Sequence, residues 1–243
     1  MDALQDESFL WFPGWGGNAY GLLPIVEQLP YGLHYLVDPK STDLDNLSIE
    51  TWVEEVFSKI PNNKKWNVIG FSMGGLLAQE FVNKYSNHVK SLHLVCTNTG
   101  AKDNPGAINS ETLKRWFSSA PELSDPLERV LQPCFSQKSL DDGTYLNYLQ
   151  YLKADHNPVS PKIPRAQHTV VLQYNTRHFV SSIQTPTFIY VGQEDQVVPR
   201  AASLELLNSI HGSVLHEIEG GHFCMLESFE QFEGLLTKSL LSL

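Results

Sequence analysis

Ser72 sits at the centre of Gly70-Phe71-Ser72-Met73-Gly74, and a serine in that setting is a candidate nucleophile. A hydroxyl attacks a carbonyl only when a base takes its proton and a third group holds that base in line. Two later loops offer such groups. Asp195 lies in Gly192-Gln193-Glu194-Asp195, directly after the apolar run Thr187–Val191. His222 follows Gly220-Gly221 after the run Val214–Ile218. Glu194 stays open as an alternative acid. Asp195 is preferred because Gln196-Val197-Val198-Pro199 turns the chain there and leads into a helix. Among nine histidines, His222 is in a glycine-flanked turn after a late strand, whereas His211 and His216 suit a connection and a strand interior.

Those side chains need elements that bring them to one place. Trp66–Ile69 is a short apolar run suited to a buried strand, and Gly74–Tyr85 reads as a helix with Leu77, Phe81 and Tyr85 on one face. Strand, sharp turn, helix is the context a nucleophile elbow requires. Neighbouring backbone must pass close to a serine held at the tip of such a turn, so Gly70, Gly74 and Gly75 are expected to leave out side chains where they would clash. The helix that begins there points free N–H groups toward the serine oxygen. Upstream, Phe9–Phe12 reads as a strand that ends in Pro13-Gly14-Trp15-Gly16-Gly17. That loop can offer the Trp15 backbone N–H to a developing oxyanion, with the indole lining the pocket. The competing reading is an ordinary strand-to-helix turn.

The rest of the first hundred residues alternates strand and helix. His34–Asp38 and Val89–Cys96 read as strands, Tyr20–Leu29 and Ile49–Lys59 as helices, and Ser48 can cap the second helix. Such alternation predicts a parallel sheet covered on both faces. From about Gly100 to Phe179 strand alternation disappears, and proline-separated helices are expected at Glu111–Ser119, Pro126–Leu131, Thr144–Lys153 and Pro161–Tyr174. Tyr145, Tyr148, Leu149 and Leu152 form a stripe that suits packing better than ligand binding. Alternation returns after Pro186, with helices at Arg200–Ile210 and Phe229–Leu241. The expected class is α/β, with a core from residues 1–99 and 183–243 and a helical lid from 100–182.

With 243 residues, 42% apolar and 18% charged, the chain suits one globular domain with an insertion. A formal net charge of -10 argues against nucleic-acid or anionic-membrane partners. The charge is uneven: residues 101–182 carry nine Lys/Arg against eight Asp/Glu, so the negative excess lies elsewhere. Cys96, Cys134 and Cys224 are too few and too scattered for a disulfide framework or a metal site. No signal pattern opens the chain and no apolar run reaches the roughly 18 residues of a membrane span. A cytoplasmic monomer without cofactor or metal is the expectation.

Taken together, PGWGG (13–17), GFSMGG (70–75), GQEDQVVPR (192–200) and GGHF (220–223) resemble the α/β-hydrolase family over nearly the whole chain. The resemblance implies an α/β-hydrolase fold and an acyl-enzyme at Ser72. It also implies proton transfer by His222, oriented by Asp195, and an oxyanion held by the N–H groups of Met73 and Trp15. Many members carry His-Gly where this chain has Pro13-Gly14, which bears on the loop and not on the chemistry. Within the family the chain most resembles the pimeloyl-[acyl-carrier protein] methyl ester esterases of biotin synthesis, on its Gly-Trp-Gly loop, the stretch 195–200 and a lid that ends in a basic helical stretch. That implies hydrolysis of a methyl ester on a carrier-bound acyl chain. A lid less negative than the body would favour an acidic carrier, with Lys162, Arg165 and Arg177 as docking candidates, near Lys153, His156, His168 and His178. Scattered solvated charges are the alternative. A carrier-linked thioesterase, a broad short-chain carboxylesterase and a non-catalytic receptor of the same fold are the rival functions. Haloalkane dehalogenases and epoxide hydrolases need a carboxylate where Ser72 stands.

Overall fold

The computed structural model describes residues 4–40, 43–100 and 125–243. Six described strands form one sheet: β1 (Ser8–Phe12), β2 (Leu33–Leu36), β3 (Trp66–Phe71), β4 (Val89–Val95), β5 (Thr187–Gly192) and β6 (Val214–Ile218). Their order is β2-β1-β3-β4-β5-β6, and every pairing is parallel. The chain therefore starts inside the sheet, steps outward to β2, and returns to the other side of β1 with β3. That reversal opens a crevice at the carboxyl ends of β1 and β3, where open α/β sheets bind ligands.

Between the strands run α1 (Ala19–Val26), α2 (Ile49–Lys59) and α3 (Gly74–Tyr85). Ser48 caps α2 by accepting from the Thr51 N–H, as its sequence position predicts. From β4 to β5 the described chain is helical: α4 (Pro126–Leu131), α5 (Gln137–Asp141), α6 (Thr144–Lys153) and α7 (Lys162–Gln173). The helix expected at Glu111–Ser119 lies outside the described residues. After β5 come α8 (Arg200–Ser209), α9 (Cys224–Glu227) and α10 (Phe229–Leu241). No helix among the described residues is long and apolar enough to cross a membrane.

Side chains alternate across the sheet and feed two cores. Leu10, Phe12, Val68, Leu92, Leu94 and Ile189 pack with α2 and α3 on one face. Phe9, Trp11, Ile69, Phe71, Phe188 and Tyr190 pack with α1 and α10 on the other. A third cluster joins Phe135, Tyr145, Tyr148 and Leu149 to Val197, Val198 and Ala202, so the helical segment is anchored beside the loop that carries Asp195. The tyrosine stripe of α6 is thus a packing face, and the Tyr148 hydroxyl also donates to the Gly21 carbonyl at 3.0 Å.

Two elements stop two or more residues short of their sequence expectations, each for a local reason. β2 stops at Leu36, although the Val37 N–H still donates to the Trp11 carbonyl. α1 stops at Val26, and Glu27, Gln28 and Leu29 close in single turns before Pro30, which cannot continue a helix. The short helices α5 and α9 carry too few residues for a periodic signal.

One buried titratable group gives the fold a pH dependence. His93 is fully buried on β4, with its Nε2 2.8 Å from Ser91 Oγ and its Nδ1 3.0 Å from the Tyr190 hydroxyl. Burial, with a smaller push from His216, lowers its pKa to about 3. The unfolded chain takes this proton near its ordinary value while the folded chain refuses it. Stability from this site is therefore present above about pH 6.5 and falls as pH drops toward 3, by about 1.4 kcal/mol per pH unit. Calorimetry between pH 6.5 and 5 should show a steeper loss in the wild type than in His93→Gln. Equal slopes would remove His93 as the cause.

Candidate active site

Ser72 directly follows β3 and adopts φ 53°, a left-handed conformation that a non-glycine residue enters only when its surroundings impose it. The surroundings do so here. The Ser72 N–H donates to the Val95 carbonyl at 2.9 Å. Its carbonyl accepts from the Gly75 N–H at 2.9 Å and from Thr97 Oγ1 at 2.6 Å. A Cβ at Gly74 would stand 2.2 Å from the Phe12 carbonyl oxygen, so α3 crosses β1 at a distance that no side chain permits. Gly70 and Gly75 face similar close approaches, as the sequence predicts.

The loops after β5 and β6 then meet this turn. A Cβ at Gly192 would fall 2.0 Å from the Gly221 carbonyl oxygen, so the two loops touch through bare backbone. Across that contact His222 Nδ1 lies 2.8 Å from Asp195 Oδ2, and His222 Nε2 lies 2.9 Å from Ser72 Oγ. The three side chains that sequence reading singled out are thus hydrogen-bonded in one line, over a separation of 150 residues between serine and histidine. The other Asp195 oxygen accepts the Val197 and Val198 N–H groups at 2.8 and 2.9 Å, which locks the carboxylate in plane. Burial pulls the His222 pKa down, but the Asp195 carboxylate outweighs it and holds the ring above its ordinary value.

Cys96 lies close behind this line. Its sulfur is 3.5 Å from Cys224 Sγ, and Cys96, Asp195 and His222 each offer an atom within 4.8 Å of the others. The hydrogen bond with Cys224, together with burial, keeps the Cys96 thiol well above its usual pKa, so it stays protonated at neutral pH. Both imidazole nitrogens are already engaged. That donor set suits proton transfer and not metal ligation.

A cavity opens over Ser72. Gly14, Trp15 and Met73 form part of its wall, joined by Leu76, Val171 and Phe223. Polar groups lining it include Asn98 and His168, and among the described residues the buried His168 Nε2 has no hydrogen-bond partner. Among the described residues no acceptor claims the backbone N–H of Trp15 or Met73.

The basic candidates part company. Lys162 and Arg165 are exposed on the outer side of α7, and no ion pair holds them among the described residues. Arg177 instead grips Glu205, with Nε 2.6 Å from one carboxylate oxygen. Lys153 is held between Asp125 and Glu128 at 2.7 and 2.8 Å.

Sequence reading missed two contacts that shape the site. Glu227 accepts from the Gly221 N–H at 2.8 Å and from the Ser136 N–H at 2.9 Å, tying the histidine loop to the helical segment. Gln167 on α7 accepts from the Gly16 N–H at 2.9 Å. The Glu227–Ser136 and Gln167–Gly16 contacts pair residues far apart along the chain, and neither sits in a local pattern that marks it.

A family described as the alpha/beta hydrolase fold matches residues 37–229. A monoacylglycerol lipase from Mus musculus is 28% identical, covering 90% of this chain and 71% of that protein. A pimeloyl-[acyl-carrier protein] methyl ester esterase from Shewanella sp. strain MR-7 is 25% identical, covering 96% of this chain and 90% of that protein. An esterase structure from Exiguobacterium antarcticum superposes with a TM-score of 0.78 at 17% identity, covering 96% of this chain and 91% of that one. At that identity the likeness is one of fold.

Proposed function

Since the chain belongs to the alpha/beta hydrolase fold family, we propose that it hydrolyses a carboxylic ester through an acyl-enzyme on Ser72. The observation that carries this reading is the unbroken hydrogen-bonded line Ser72–His222–Asp195 beneath a largely apolar cavity. Ser72 Oγ attacks the ester carbonyl as His222 Nε2 takes its proton. The carbonyl oxygen becomes an oxyanion facing the Met73 and Trp15 N–H groups. The carbon–oxygen bond to the alcohol then breaks, and His222 returns the proton to the departing alkoxide. Water, deprotonated by the same nitrogen, attacks the acyl-enzyme, releases the acid and restores Ser72.

The substrate favoured is a methyl ester at the end of an acyl chain borne by an acidic carrier protein, as in pimeloyl-carrier methyl ester hydrolysis for biotin synthesis. Support comes from the Shewanella relative, which this chain matches over nearly the full length of both. It also comes from the balanced charge of residues 101–182 in an otherwise acidic chain, and from exposed Lys162 and Arg165. Arg177 is the weaker docking candidate, because Glu205 already neutralises it. A glycerol monoester is the second reading, favoured by the mouse relative.

Purified protein offered pimeloyl-carrier methyl ester, a monoacylglycerol and p-nitrophenyl butyrate separates these readings. Turnover of the carrier-linked ester well above the glycerol ester is expected, and the reverse ranking would replace the first reading by the second. Lys162→Glu combined with Arg165→Glu should slow cleavage of the carrier-linked ester by about tenfold or more at low salt, through like-charge repulsion of the carrier. Hydrolysis of p-nitrophenyl butyrate should not change. Equal rates on the carrier-linked ester in variant and wild type would end the docking idea.

A further inference from the structure

We propose that Gln167 is a positioning residue that holds the oxyanion-facing loop in its working shape, an inference that rests on the esterase reading above. The loop closes through the Gly17 N–H to the Gly14 carbonyl at 3.0 Å. Gly16, its third residue, has φ 70°, the left-handed value a type II turn needs there. The middle peptide of such a turn, between Trp15 and Gly16, makes no hydrogen bond within the turn, and glycine accepts either sign of φ. Nothing inside the turn itself prevents that peptide from flipping.

α7 supplies what the turn lacks. The Gly16 N–H donates to Gln167 Oε1 at 2.9 Å, and Trp15 Nε1 donates to the Pro164 carbonyl at 2.7 Å. Trp15 is thereby fastened at its indole and at the amide that follows it. Gln167 is only 1% exposed, so water does not readily replace its carbonyl if that is removed. The same helix turns Val171 and Leu172 to the cavity wall. The oxyanion loop and α7 therefore move as one unit, and the N–H assigned to the oxyanion depends on a side chain about 150 residues further along.

Oxyanion stabilisation counts only where the donor meets the charge of the transition state, so a loosened loop lowers kcat more than it raises KM. Gln167→Leu removes the acceptor and keeps most of the volume, and Gln167→Asn withdraws the acceptor by one methylene while staying polar. Each soluble variant is expected to lose about 10- to 100-fold in kcat on p-nitrophenyl butyrate, part of the loss seen when a whole oxyanion donor is removed. KM should stay within about twofold. Affinity for an alkyl boronic acid, whose tetrahedral serine adduct places an oxygen in the same position, should fall by a factor similar to kcat. Affinity for butyramide, a neutral mimic of the ground-state ester, should hold. If Gln167→Leu does not fold, Gln167→Asn decides alone. Unchanged kcat, or equal loss of boronic acid and butyramide affinity, overturns the proposal. Wild-type turnover that survives Ser72→Ala would instead sink the esterase reading itself, so the two failures are distinguishable.

Discussion

Replacing Ser72 by alanine is expected to lower kcat/KM on p-nitrophenyl butyrate by about 10⁴- to 10⁶-fold, the range seen when a serine nucleophile is deleted. In the proposed reaction the hydroxyl supplies the atom that forms the acyl bond, and neither His222 nor the proposed oxyanion donors can substitute for it. The fold should tolerate the change. Alanine has the same Cβ in the same left-handed conformation, and the bonds that impose φ 53° run through the Ser72 backbone, to Val95, Gly75 and Thr97. The melting temperature should therefore stay within a few degrees while turnover disappears. Retention of more than about one per cent of wild-type activity in a folded Ser72→Ala protein would contradict the acyl-enzyme. Absence of turnover in the wild type, with butyrate still bound, would favour the receptor reading of the same cavity.

Asp195→Asn is the second large effect, expected at about 10³- to 10⁴-fold in kcat. The cause lies in the two backbone donors. Val197 and Val198 hold one carboxylate oxygen, so the replacement amide would keep its oxygen on them and turn its NH2 toward His222 Nδ1. That forces the imidazole proton onto Nε2, facing Ser72, where a base is needed. The pH profile should shift as well. Turnover requires neutral His222, and in the wild type the Asp195 carboxylate raises its pKa, so activity should climb through a midpoint above the ordinary histidine value of about 6.5. Asp195→Asn removes the carboxylate charge that raises the pKa against burial, so the midpoint of the residual activity should move to lower pH. A midpoint that stays in place would separate the acid limb from the Asp195–His222 pair.

Most elements were legible because they repeat. The runs at 49–59, 74–85, 144–153, 214–218 and 229–241 end where the structure ends them, since apolar spacing, caps and breaks are all local. Ser72, Asp195 and His222 were legible for a related reason. Each follows a strand in a short loop, and in a parallel sheet every strand ends on the same rim. Strand-end position therefore predicts convergence without knowledge of the strand order.

Other features were invisible along the chain. Arg177 and Lys162 look alike as basic residues in one stretch, yet Glu205 binds the first while the second stays exposed. Gln167 and Glu227 carry no motif, and they matter only because α7 lies on the Gly14–Gly17 loop and α9 beside Ser136. The sequence by itself determined the alternation of strand and helix, and which three side chains could do chemistry, because backbone propensity, apolar period and glycine punctuation act over a few residues. Only the tertiary structure decided the sheet order, the pairing of charges and the contact of α7 with the Gly14–Gly17 loop. Those depend on contacts between segments tens to hundreds of residues apart, which close packing selects and local pattern does not encode.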